Sequence, residues 1–113
     1  MKFNSERMKL KKLYETLRES PLPRFSPHDE LSNWIEDLIE IDGHYAGLSL
    51  SAIEGEKIAK NNLCDLIKLR NSLDLIKLNN KDNSKENLRI IRSCYDYLDI
   101  IQSIDFMLNK MSS

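Results

Sequence analysis

Glycine and proline are scarce, three of each in 113 residues, so little in the chain interrupts a helix once it has begun. Cys64 and Cys94 are the only cysteines. They have no CxxC spacing and no histidine in ligand register, which excludes a disulfide scaffold and a zinc knuckle and leaves both as small buried hydrophobes. The two histidines, His28 and His44, stand sixteen apart and point to different sides of one helix, so nothing in the sequence assembles a Ser-His-Asp or Cys-His nucleophile site. There is no glycine-rich phosphate loop and no strand to carry one. No apolar run approaches the ~18 residues of a membrane span, and the first seven residues hold no signal-peptide apolar region, so the expectation is a cytoplasmic protein that does not enter membranes. A net charge of −1 argues against general nucleic-acid binding, which needs a basic stripe to displace counterions from phosphate.

The most telling absence is local. From Phe25 to Glu56 there is no lysine or arginine, and eight acids (Asp29, Glu30, Glu36, Asp37, Glu40, Asp42, Glu54, Glu56) give that block a charge of −8. The flanks compensate: residues 1–24 carry seven bases against three acids, and residues 57–113 carry ten against seven. Within the block, Tyr45 to Ile53 is uncharged on every face, the pattern of a helix covered all round. Gly43 and Gly47, one turn apart, would let another backbone approach there. Helical glycine costs roughly 1 kcal/mol relative to alanine, and a tight crossing in the core is the expected compensation.

What is present is helical periodicity. Leu10, Leu13, Tyr14 and Leu17 predict a first helix over about 5–19. Ser26 as N-cap, Pro27 at N1 and the acids after it start a second, over about 27–54, with Leu31, Trp34, Leu38, Ile41, Tyr45, Leu48 and Ala52 along one seam. Between these two, Pro21 and Pro23 force an extended connector that Leu22 and Phe25 can pin. The apolar pattern then runs on to Leu78. A single rod from Pro27 to Leu78 would be about 78 Å long, against a radius of gyration near 13 Å for a compact domain of this size, so a break is expected at Gly55 or at Asn61 and Asn62. A third helix over about 58–78 follows. Its pentapeptide Asp65–Leu69 recurs as Asp74–Leu78, nine residues on and hence on the opposite side of the helix. Ser84 caps a fourth over about 85–111, with Ile90, Cys94, Tyr97, Ile101, Ile104, Leu108 and Met111 inside. The fold class expected is all-α: one domain over 1–113, an up-down four-helix bundle, with dimerisation along the long second helix as a further expectation.

Two short resemblances follow from these residues. Glu36-Asp37-Leu38-Ile39-Glu40 followed by Asn62-Leu63-Cys64-Asp65 resembles, in order and spacing, the paired carboxylate motifs of the all-α NTP pyrophosphohydrolase family, Glu-Glu-x-x-Glu on one helix and Glu-x-x-Asp on the next. That resemblance implies a Mg²⁺ ion held by Glu36, Asp37, Glu40 and Asp65 against nucleotide phosphates; Asp37 stands where the family has Glu, and Asn62 where it has an acid. Ser51-Ala52-Ile53-Glu54-Gly55 is similar to the inhibitory motif that antitoxins present to Fic-type adenylyltransferases, with Leu50 at the hydroxyl position.

The leading functional expectation is a non-enzymatic interaction domain of the immunity-protein, antitoxin or small-regulator kind, with no cofactor, whose acidic helix-2 face (Asp29, Glu36, Asp37, Glu40) docks a basic protein partner. A block neutralised by the chain's own basic first helix is the competing account. The alternatives are a Mg²⁺-dependent pyrophosphohydrolase-like protein, or an inactive relative of one, and a structural homodimer.

Overall fold

The computed structural model describes residues 4–21, 29–57, 64–81 and 84–111. Among them the chain forms α1 (Asn4–Glu19), α2 (Asp29–Ile53), α3 (Cys64–Asn79) and α4 (Lys85–Met111), with no strand. The expected N-cap at Ser26, the Leu22 and Phe25 contacts, the Asn61–Asn62 break and the start of the third helix at 58 all lie outside the described residues.

Successive helices alternate in direction. Arg7 near the start of α1 donates to the Ile53 carbonyl at the end of α2. The Trp34 indole of α2 donates to the Leu69 carbonyl of α3 at 2.7 Å. Along α3 and α4, Asn80 meets Asn87, Asp74 meets Tyr95 and Arg70 meets Asp99. This leaves α2 and α4 parallel to each other as the central pair. Each touches all three other helices, whereas α1 and α3 do not touch. The molecule is a slab, 51 × 25 × 17 Å.

The core gathers the stripes the periodicity marks: Leu10 and Leu17 of α1, Leu31, Trp34, Leu38, Tyr45 and Ala52 of α2, Leu66, Leu69 and Leu73 of α3, and Ile90 through Leu108 of α4. Each large side chain so buried is worth about 1.5–3 kcal/mol. Cys94 is fully buried, and burial pushes its thiol up to about 12. On α2 the expected seam residues Leu31, Trp34, Leu38, Tyr45 and Ala52 are buried, while Ile41 and Leu48 are only partly covered and Ile35, Asp42 and Ser49 are buried beside them. Asp42, counted in sequence with the outward acids, is therefore an inside residue. Its burial is tolerated because the Tyr97 hydroxyl donates to Oδ1 at 2.8 Å.

A second correction concerns the glycines. A Cβ at Gly43 or Gly47 would meet nothing within 4 Å, and Leu50 beside them is 45% exposed. Among the described residues no crossing closes over this face, and the uncharged run from Tyr45 to Ile53 is not covered all round. Gly47 and Leu50 of that run are exposed on the outer side of α2.

The break after α2 falls at Gly55. With φ at 86° it occupies the left-handed region that side chains resist. The Glu56 amide returns to the Ser51 carbonyl at 2.9 Å and the Gly55 amide to Ala52 at 3.1 Å, a Schellman closure. No basic residue lies in the last turn of α2, so the cation that the helix C-terminus favours comes from α1, as Arg7. At the other end of the bundle Ser84 caps α4, its Oγ accepting from the Asn87 amide at 3.2 Å.

Candidate functional site

Glu36, Glu40, Gly43, Gly47 and Leu50 of α2, with Glu54 in the turn just after it, recur at steps of four and three, and all six are exposed. They form one outer stripe, diametrically away from the core seam. Ile39, 47% exposed, borders it. Asp29 opens the helix. Asp37 and His44 lie a quarter-turn round, toward α3.

There they meet Asp65. Asp37, Glu40, Ile41, His44 and Tyr45 of α2 and Asp65, Lys68, Leu69 and Ser72 of α3 line an open cleft of about 620 Å³. Three of the four carboxylates expected to hold Mg²⁺, Asp37, Glu40 and Asp65, thus share one cleft, and Glu36 stands outside its lining. Among the described residues, no three carboxylate, imidazole or thiol groups lie close enough together to hold a metal ion. As they stand, these residues do not fit the Mg²⁺ site that the pyrophosphohydrolase resemblance implies.

The base that shares the cleft with Asp37 and Glu40 is Lys68 of α3. Glu36, Asp37 and Glu40 form no ion pair with a described residue; the pairs present are Arg70 with Asp99, and Arg89 with Glu86 at 3.9 Å. Two bases of the first helix lie elsewhere. Its Lys9 and Lys12, with Leu13, face α4 across a second cleft of about 730 Å³ completed by Asp99, Gln102, Ser103, Phe106 and Met107. α1 packs in the α2–α4 groove and sends bases to both sides, Lys9 and Lys12 toward α4 and Arg7 to the end of α2 beside Gly55.

Beneath the acidic face lie two buried tyrosine–carboxyl pairs that link the central helices. Tyr45 of α2 donates to Asp105 Oδ1 of α4 at 2.7 Å, and Asn109 Nδ2 donates to the other oxygen at 3.0 Å. Tyr97 of α4 donates to Asp42 of α2. Burial first, then the hydrogen-bonded carboxyl, raises both phenols well above the ordinary tyrosine value. Sequence reasoning singled out neither pair. The available signal was the second heptad phase of α2, which runs through Asp42 and Ser49, and its counterpart on α4 through Asp105. The α1–α4 cleft also went unnoticed, since its lining residues sit on two helices far apart in sequence. The antitoxin-like segment ends at the Schellman closure, where Glu54 is exposed and Gly55 lies against the Arg7 guanidinium.

The class defined by fold and site is an all-helical bundle with an exposed acidic helix. Compared with known proteins, the chain matches no family model, no curated protein and no solved structure. No helix among the described residues is long and apolar enough to cross a membrane.

Proposed function

We propose that this chain is a non-enzymatic interaction domain that binds a basic protein partner through the outer stripe of α2, in the manner of an immunity protein, an antitoxin or a small regulator. The observation that carries this reading is the acidic face: Glu36 and Glu40 on the stripe and Asp37 beside it, exposed and forming no ion pair with a described residue, on a helix that has no lysine or arginine. Uncompensated like charges raise the free energy of the folded chain and are relieved by a cationic surface. Gly43 and Gly47 strengthen the reading, because two helical glycines with open space over them leave room for a partner's backbone.

The test is capture of partners from the native lysate with wild-type chain and with Glu36→Lys/Glu40→Lys, followed by association kinetics of what the wild type retains. Charges at an interface rim act mainly on the on-rate. The expected result is a folded variant whose association is slower and has lost its salt dependence. Equal association by both chains would sink the reading.

The second reading, a Mg²⁺-dependent pyrophosphohydrolase-like protein, keeps one observation in its favour, the shared cleft of Asp37, Glu40 and Asp65. A thermal melt with Mg²⁺ or Mn²⁺ separates the two, since a ligand at 100 times its Kd stabilises by about 2.7 kcal/mol. Interaction through the stripe alone gives no shift.

A further inference from the structure

The apolar seam of α2 is compatible with two rotational settings. Leu31, Trp34, Leu38, Tyr45 and Ala52 are buried and would face inward in either. The settings differ in what flanks them. Ile35, Asp42 and Ser49 are buried on one side of the seam, while Ile41 and Leu48 on the other are only partly covered against the core. Turning the helix by roughly 40°, less than half the angle between successive residues, would exchange the two flanks. Apolar burial does not oppose the exchange, since Ile41 and Leu48 would go in and Ile35 alone among apolar side chains would come out. Hydrogen bonding does oppose it. The Asp42 carboxylate, 8% exposed, accepts from the Tyr97 hydroxyl of α4 at 2.8 Å and forms no ion pair with a described residue. Ser49 donates within α2, to the Tyr45 carbonyl, and imposes no setting. Asp42 is thus the flank residue whose partner stands on another helix.

We infer that the Tyr97–Asp42 hydrogen bond is a latch: it holds α2 in the setting that presents the acidic face, and its release turns the helix and draws that face toward α3. The direction follows from the spacing. The turn that carries Ile41 and Leu48 inward also carries Asp37 and Glu40, which already line the cleft with α3, further toward Lys68, and brings Glu36 round behind them. The latched chain shows its carboxylates to solvent, and the released chain sets them against a base of its own. Packed helices switch between discrete arrangements in this way because their interfaces are bistable and not continuously deformable. The latch deepens the docking reading by giving the acidic face a means of regulation, and its use rests on that reading. The turn itself needs no partner, so the two can fail separately.

The experiment is solution NMR on the full chain without a partner. It reads the broadening of the Ile35, Ile41 and Leu48 methyl signals by a soluble paramagnetic probe, together with the indole N–H of Trp34, the only tryptophan. In wild type the Ile35 methyls are expected to be shielded and those of Ile41 and Leu48 partly broadened. Tyr97→Phe strands the Asp42 carboxylate and should reverse the pattern: Ile41 and Leu48 become shielded, Ile35 becomes broadened, and the Trp34 N–H, 2.7 Å from the Leu69 carbonyl, shifts. Asp42→Leu/Tyr97→Phe leaves no polar group to strand and should restore the wild-type pattern, which separates the latch from a packing defect at residue 97. The inference is overturned if Tyr97→Phe keeps the wild-type pattern, if it broadens all three residues alike, as a loosened or unfolded chain would, or if the apolar pair turns the helix as well. Failure of the docking reading is decided apart from this, by the association kinetics of Glu36→Lys/Glu40→Lys.

Discussion

Tyr97 and Asp42 show how the central pair of helices tolerates polar groups inside. The Asp42 carboxyl is nearly sealed from water and its described partner is the Tyr97 hydroxyl, 2.8 Å away on α4. Removing a donor strands the acceptor, and a buried acceptor without its partner costs about 1–3 kcal/mol. Tyr97→Phe should therefore destabilise the fold by that amount at neutral pH, measured by urea denaturation. The same pair sets a pH dependence. Because the folded chain raises the Tyr97 phenol above the unfolded value of 10.0, its contribution is fully present below that pH. It is lost as pH rises through the folded value, the unfolded phenol ionising first. The difference in urea midpoint between wild type and Tyr97→Phe should thus be constant up to about pH 9 and shrink as the ordinary tyrosine pKa near 10 is passed. A gap that widens with alkalinity would contradict the assignment.

At the scale of the element, α2 separates what periodicity reveals from what it leaves open. Leu31, Leu38, Tyr45 and Ala52 repeat every seventh residue and were legible as core at once, and so was the whole bundle, because apolar spacing on four amphipathic segments leaves few other ways to hide them. The intervening positions were not legible. Steps of three and four fit Ile41 and Leu48 as well as Asp42 and Ser49, and hydrophobicity favours the former pair. Packing chose the latter, because Tyr97 stood ready to bond Asp42, and Ser49 could donate to the carbonyl of Tyr45 at 2.7 Å. Gly43 and Gly47 were misread for a related reason. A small residue permits a close crossing but does not say from which side of the chain the neighbour comes. Since a Cβ meets open space at both, Gly43→Ala and Gly47→Ala should each stabilise the isolated protein by about 0.5–1 kcal/mol by restoring helix propensity. A drop in melting temperature for either would mean that the outer side of α2 is closed. Of the candidate site, the acidic stripe was readable from spacing, and the resemblance to the pyrophosphohydrolase motifs is what grouped Asp65 with Asp37 and Glu40. The exclusion of Glu36 from the cleft was not, because it depends on where α3 lies against α2.

For the whole molecule, the separation of α1 from α3 has a consequence for how the fold breathes. Among the described helices each outer one is held only by the central pair, α2 and α4, so either can lift away without exposing the contacts of the other. Regions with few partners open with free energies below the global value, often as cooperative units. In native-state hydrogen exchange of the isolated chain, the amides of α2 and α4 around Leu38 and Leu98 should exchange only through global unfolding. Those of α1 around Leu13 and of α3 around Leu73 should exchange through two smaller openings with distinct denaturant slopes. One common slope for all four helices would show instead that the slab comes apart as a single unit. If the openings are separate, the acidic stripe of α2 remains in place while α3 detaches, and the protein keeps its charged face in the partly open state as well as the closed one.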